Sequence, residues 1–204
     1  MVRQIAHELR QPLSTIESIA YYLNLILPRD DPRARTQLER LQKLVDQSNW
    51  IVSNAVHYVQ ASPAAPQLLD LTEIVGAAAA ECGIGSLLRS ELDELELVRL
   101  DASQAVHLFR NLLTYFRHIA TAEHPVRLRV CREPAAVEVH LSTTAPGHSM
   151  GEVYSLFEPF SPGLPAGSGL SLASVRRIIE AHDGQVDIDA DAVTGVRVTL
   201  TLPN

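Results

Sequence analysis

Residues 1 to about 27 place Ile5, Leu9, Leu13, Ile16, Ala20, Leu23 and Leu27 three or four residues apart. At helical pitch they form an apolar stripe roughly 80° wide. The segment LPRDDP (27–32) breaks that helix, and Asp31 before Pro32 suits the cap and first position of a second one. The second repeats the spacing with Leu38, Leu41, Val45, Ser48, Val52, Ala55 and Val59. Two long helices joined by a short polar turn make an antiparallel hairpin. One hairpin cannot cover its own stripe, so the pattern predicts a homodimer paired as a four-helix bundle. ASPAAP (61–66) reads as a linker. The expected boundaries are a dimerisation hairpin over 1–62 and a second domain over 63–204.

In that second domain, 71–82, 101–122 and 169–182 read as helices. VRLRVCR (126–132) with AVEVHLS (136–142), and QVDIDA with GVRVTLTL, read as paired strands. Helices interleaved with largely antiparallel strands predict an α+β chain whose second domain is a two-layer α/β sandwich. With 204 residues, 46% of them hydrophobic, a sizeable core can form. The formal charge of −7 argues against nucleic acid or an anionic membrane as the main partner. No run of about 18 apolar residues occurs, and the start lacks a signal-peptide core, so a cytoplasmic protein is expected. The two cysteines, Cys82 and Cys131, read as reduced thiols.

His7 lies about 160° from the centre of the first helix's apolar stripe. Gln11, Ser14 and Ser18 share its outward face. An imidazole facing solvent can meet a phosphoryl donor. Glu8 could accept one ring N–H, fixing the tautomer and leaving the other nitrogen nucleophilic. Pro12 removes one backbone hydrogen bond and should bend the helix just past the histidine.

The run His7-Glu8-Leu9-Arg10-Gln11-Pro12-Leu13 resembles the H-box of the sensor histidine kinases of two-component signalling. The resemblance implies that His7 is the phospho-acceptor and Glu8 its acidic helper. Gln11 stands where many members carry the Thr or Asn that positions water for dephosphorylation. Further on, LVRLDASQAVHLFRNLLTYFRHI resembles the N-box helix, AVEVHLSTTAPGH the G1 strand and turn, and LFEPFSPGLPAGSGLSLASVRRIIEAHDGQV the F box, short lid and G2 box. The implied fold is the Bergerat-type ATP-binding sandwich.

Matched residue by residue, the implied nucleotide site is degenerate. The family's magnesium-binding Asn falls on Tyr115, although Asn111 one turn earlier is kept, and the next basic position falls on His118. The Asp that receives the adenine amino group falls on Thr143. The first G1 glycine is Ala145 and the second is Gly147. Gly167 and Gly169 remain, but the G2 glycine falls on Ser171. The short-lid lysine position falls on Leu164, and no Lys or Arg lies between Phe157 and Leu172. Magnesium requires hard oxygen ligands in octahedral array. Losing two charged contacts at about 1.5–3 kcal/mol each weakens binding by about a hundredfold or more. Neither ATP nor Mg²⁺ is therefore expected as a cofactor, and autokinase activity is expected to be lost.

Asp70 and Asp101 read as helix caps. Arg127, Arg129 and Arg132 read as a solvated sheet edge, and Glu91–Glu96 as a solvated turn or short helix. Trp50 and Tyr58 read as packing residues, and the eight histidines share no metal spacing. Three functions follow. The first is a phosphorelay protein exchanging a phosphoryl group between His7 and response-regulator receiver domains. The second is a kinase core that uses ATP on His7, and the third a non-catalytic pseudokinase acting by complex formation.

Overall fold

A computed structural model describes residues 2–28, 31–59, 65–92, 96–146, 153, 155–161, 164, 168–191 and 194–203. Two compact units result, Met1–Gln60 and Ala61–Asn204. Gly147 and Gly167 lie outside the described residues.

The first unit is the hairpin of α1 (Val2–Ile26) and α2 (Pro32–Val59). The Asp31 carboxylate caps α2, accepting from the backbone N–H groups of Arg33 and Ala34 at 3.0 Å each. α1 runs unbroken through Pro12. Ala6, Ala20, Leu38 and Val45 are buried between the helices, and Arg10 donates to the Ser53 hydroxyl across them. Ile5, Leu9 and Ile16 remain 40–50% exposed. The hairpin thus covers only part of its stripe.

The second unit begins with β1 (Gln67–Asp70), α3 (Leu71–Cys82), a 3₁₀ turn (Gly85–Leu87), β2 (Leu88–Glu91) and β3 (Leu97–Leu100). It continues with α4 (Ala102–Ile119), β4 (Val126–Arg132), β5 (Ala136–Thr143), α5 (Ser171–Glu180), β6 (Gln185–Asp191) and β7 (Gly195–Pro203). Strands order β2-β4-β5-β7-β6, with β2 parallel to β4 and the other pairs antiparallel. β1 and β3 form a separate two-stranded ladder. Alternation decides the layers: Val126 and Leu128, Val139 and Leu141, and Val196, Val198 and Leu200 are buried. They face Leu108, Phe109, Leu112 and Phe116 of α4 and Val175, Ile178 and Ile179 of α5. Each buried Leu or Phe contributes about 1.5–3 kcal/mol.

The two-layer sandwich is as expected, but several details differ. α4 ends at Ile119 and α5 starts at Ser171, each two or three residues inside the expected bounds. The short strands β1, β2 and β3 were not legible. β4 is not an edge, because β2 pairs along it. Arg127 and Arg129 instead stand exposed and ion-paired with Glu91. The acidic run is not uniformly solvated either. Glu96 is 6% exposed and accepts from Arg132 at 2.8 Å.

Candidate functional site

His7 is exposed on α1. Four residues along, the Gln11 side-chain nitrogen stands 3.5 Å from the His7 Nε2. Positions i and i+4 share one helical face, which sets this pair together. Glu8 is also exposed, one residue around the helix. Among the described residues it makes no bond to His7, whose recorded neighbour is Gln11. The N-terminal half of α1 thus offers one accessible imidazole beside a carboxamide. Such a face can exchange a phosphoryl group with a partner that approaches from solvent.

The residues matched to the nucleotide site lie on and beside α4, at the end of β5 and around the start of α5. Asp101 caps α4: its carboxylate accepts from the backbone N–H groups of Ser103 and Gln104 at 3.0 and 3.1 Å. Nearly three helix turns beyond Asp101 lies Asn111, which is 0% exposed with neither amide atom hydrogen-bonded within the described residues. Tyr115 is 3% exposed, and its ring packs edge-on to Phe116 at 5.5 Å. Burial pushes the Tyr115 phenol well above its ordinary range. His118 is held below its ordinary value, by partial burial and then by the Arg117 charge.

Thr143 is buried and its hydroxyl is committed. It donates to the His124 carbonyl at 2.8 Å and accepts from the Ala145 N–H at 3.3 Å. Ser171 is 2% exposed and donates to the Ser168 carbonyl at 2.7 Å. Leu164 packs half-buried on the core. Gly169 lies under the Phe160 ring and accepts the Phe160 N–H at 2.6 Å.

Two residues that sequence reasoning gave no separate role turn out to be structural. His182 is 6% exposed and sits between Asp101 and α5. Its Nδ1 lies 2.8 Å from the Ile178 carbonyl, so that nitrogen donates, while its Nε2 accepts the Asp101 N–H at 2.8 Å. A Cβ on Gly184 would run into the Thr201 carbonyl, so only glycine lets β6 leave α5 this close to β7. Among the described residues no group of three His, Cys, Asp or Glu side chains is arranged to hold a metal ion.

Residues 100–204 match the model of the histidine kinase-, DNA gyrase B- and HSP90-like ATPases. The chain belongs to that family. With the helical hairpin ahead of it, this ATPase-type domain makes a histidine kinase core. Sensor histidine kinase ZraS of Escherichia coli O157:H7 is 27% identical over 98% of the chain, which spans 44% of that protein. The C4-dicarboxylate transport sensor protein DctS of Rhodobacter capsulatus is 26% identical, and the chain spans 33% of it. The sensory histidine kinase/phosphatase NtrB of the same species is 27% identical over 98% of the chain and 61% of its own length. Among solved structures, full-length ShkA in complex with AMPPNP superposes with a TM-score of 0.79 at 19% identity, over 99% of the chain and 45% of that protein. Histidine kinase AdeS of Acinetobacter baumannii gives 0.65 at 17% identity, over 97% of both chains. These two likenesses concern the fold.

The side chains of this histidine kinase-like domain fit a magnesium-bridged triphosphate poorly. Of the described positions that the resemblance matches to the family's ligands, Tyr115 offers a buried phenol and Thr143 a spent hydroxyl. Ser171 is turned to its own loop, and Leu164 is apolar. Asn111 alone keeps an uncommitted amide, and one enclosed amide does not make a magnesium site.

Proposed function

We propose that this protein is a two-component phosphorelay protein that carries a phosphoryl group on His7 and exchanges it with response-regulator receiver domains, without ATP-driven autophosphorylation. The exposure of His7 within its H-box carries the reading. In the forward step a His7 ring nitrogen attacks the phosphorus of a receiver's aspartyl phosphate. The N–P bond forms, the acyl P–O bond breaks, and the receiver regains its carboxylate. The receiver supplies both the acceptor carboxylate and the Mg²⁺, so the chain needs neither. Glu8 serves as the acidic helper and Gln11 as the water-orienting amide. The exposed Ile5, Leu9 and Ile16 favour a homodimer through the hairpin. No described helix is long and apolar enough to cross a membrane, which suits a cytoplasmic relay.

The degenerate set Asn111, Tyr115, Thr143, Gly147, Gly167 and Gly169 then belongs to a scaffold that docks the receiver. The test is a panel of phosphorylated receivers incubated with the protein and with His7→Ala. Label reaching the wild type alone supports the relay; label reaching neither, or both equally, defeats it.

The three relatives described above, named as sensor kinases or sensor proteins, favour a second reading: a kinase core that uses ATP on His7. Calorimetric titration with ATP and Mg²⁺ separates the two. Saturable, magnesium-dependent binding in the micromolar range would establish the kinase and end the relay proposal.

A further inference from the structure

The face of the five-stranded sheet that points away from the helices is polar, and its charges are sorted by strand. The register aligns them in rows across β4, β5, β7 and β6. One row reads Arg127, Ser142, Arg197, Asp189 and the next Arg129, His140, Thr199, Asp187. Arg127, Arg129, Arg197, Asp187 and Asp189 are all exposed. β4 is thus an arginine strand and β6 an aspartate strand, three strand spacings or about 14 Å apart. Asp187 and Asp189 make no ion pair among the described residues.

This is not a basic patch. Glu91 bridges Arg127 and Arg129, and the aspartates of β6 offset what positive charge remains. A free anion gains little from such a surface. A surface whose two halves are of opposite sign has another natural partner, which is itself.

We infer that this open sheet face is a self-association surface on which a second copy of the chain stacks. The fit follows from symmetry. A two-fold axis parallel to the strands, passing between β5 and β7, lays β4 of one copy over β6 of the other. Rotation about that axis leaves height along the strands unchanged, so every row meets its own counterpart. Arg127 then faces Asp189 of the second copy, and Arg129 faces its Asp187. Each pair occurs twice because the contact is isologous. An axis across the strands would set arginine on arginine, so charge alone selects the first arrangement. Aligned sheets stack at about 10 Å. The trough of about 700 Å³ lined by Arg127, Arg129, His140, Ser142, Asp189 and Arg197 leaves room for the arginine arms of the opposite copy. A contact made of rim-type ion pairs is weak and salt-sensitive, unlike pairing through apolar helices.

The test uses the full chain in sedimentation equilibrium at 50 and 500 mM NaCl, with R127E/R129E and D187K/D189K as variants. All four positions are exposed, and circular dichroism checks that the variants fold. Wild type is expected to show an association step that salt weakens about tenfold or more. Each double variant loses that step, and an equimolar mixture of the two recovers it, since reversed charges again oppose. Any association through the hairpin persists in high salt and in both variants, and so stays distinguishable. A wild type without a salt-sensitive step, variants that associate like wild type, or a mixture that fails to recover would each overturn the inference.

Discussion

The Gln11 amide nitrogen lies 3.5 Å from the His7 Nε2, one helix turn further along α1. A carboxamide in that place can orient water beside a phosphorylated partner without being needed for attack by the imidazole. Gln11→Ala is therefore expected to slow receiver dephosphorylation about tenfold or more, while His7 still acquires label at close to the wild-type rate. Stopped time courses with phosphorylated receiver measure both. Equal loss of the two activities would show that Gln11 shapes His7 rather than the water.

Tyr115 fills protein interior at the position that the resemblance matches to the family's magnesium-binding Asn. Tyr115→Asn should cost about 2–4 kcal/mol through the cavity it opens, read as a lower urea midpoint. It should not by itself create measurable ATP binding, because the Thr143 and Ser171 hydroxyls stay committed to the His124 and Ser168 carbonyls. Micromolar ATP affinity in this single variant would mean the site is one residue from working.

Asp101 carries an acid dependence. The Ser103 hydroxyl does most to hold its carboxyl below the ordinary value of 3.8; burial opposes this, and the N–H groups of Ala65, Gln104 and Ser103 assist. The folded chain thus binds this proton less readily than the unfolded chain. The stabilisation is complete above 3.8 and is lost as pH falls through the lower folded value. Asp101→Ala should cost about 1 kcal/mol at pH 7, and the gap from wild type should narrow as pH falls below 3.8. Urea unfolding at pH 7, 4 and 3 follows it.

On the hairpin, Leu9 and Ile16 are 50% and 40% exposed. If a second copy covers them, Leu9→Asp with Ile16→Asp should convert a salt-resistant dimer to monomer by light scattering, with helix content little changed. A dimer that survives both charges would place the interface elsewhere.

Long periodic segments were legible because their signal repeats. α1, α2, α3 and the β4–β5 and β6–β7 pairs all carry several turns or alternations of apolar residues. β1, β2 and β3 were not, since four residues give at most two alternations, and β2 and β3 are separated by the acidic run. Reading Arg127 and Arg129 as a sheet edge failed for the same reason: the strand that covers them, β2, was invisible. Glu96 looked solvated because its partner Arg132 is 36 residues away. The exposed face of His7 was readable from helical geometry alone. The roles of His182 and Gly184 were not, since one depends on a bond across 81 residues and the other on a backbone approach from β7.

The bond from the Asp101 N–H to His182 joins the start of α4 to the end of α5. It ties the helix that resembles the N-box to the end of the segment that resembles the G2 box through a backbone N–H and a buried imidazole. A domain knotted in this way can surrender its ligand-binding side chains one after another while its architecture stays intact. On the relay proposed above, the likeness of such a chain to sensor kinases reports its architecture, and His7 carries the chemistry.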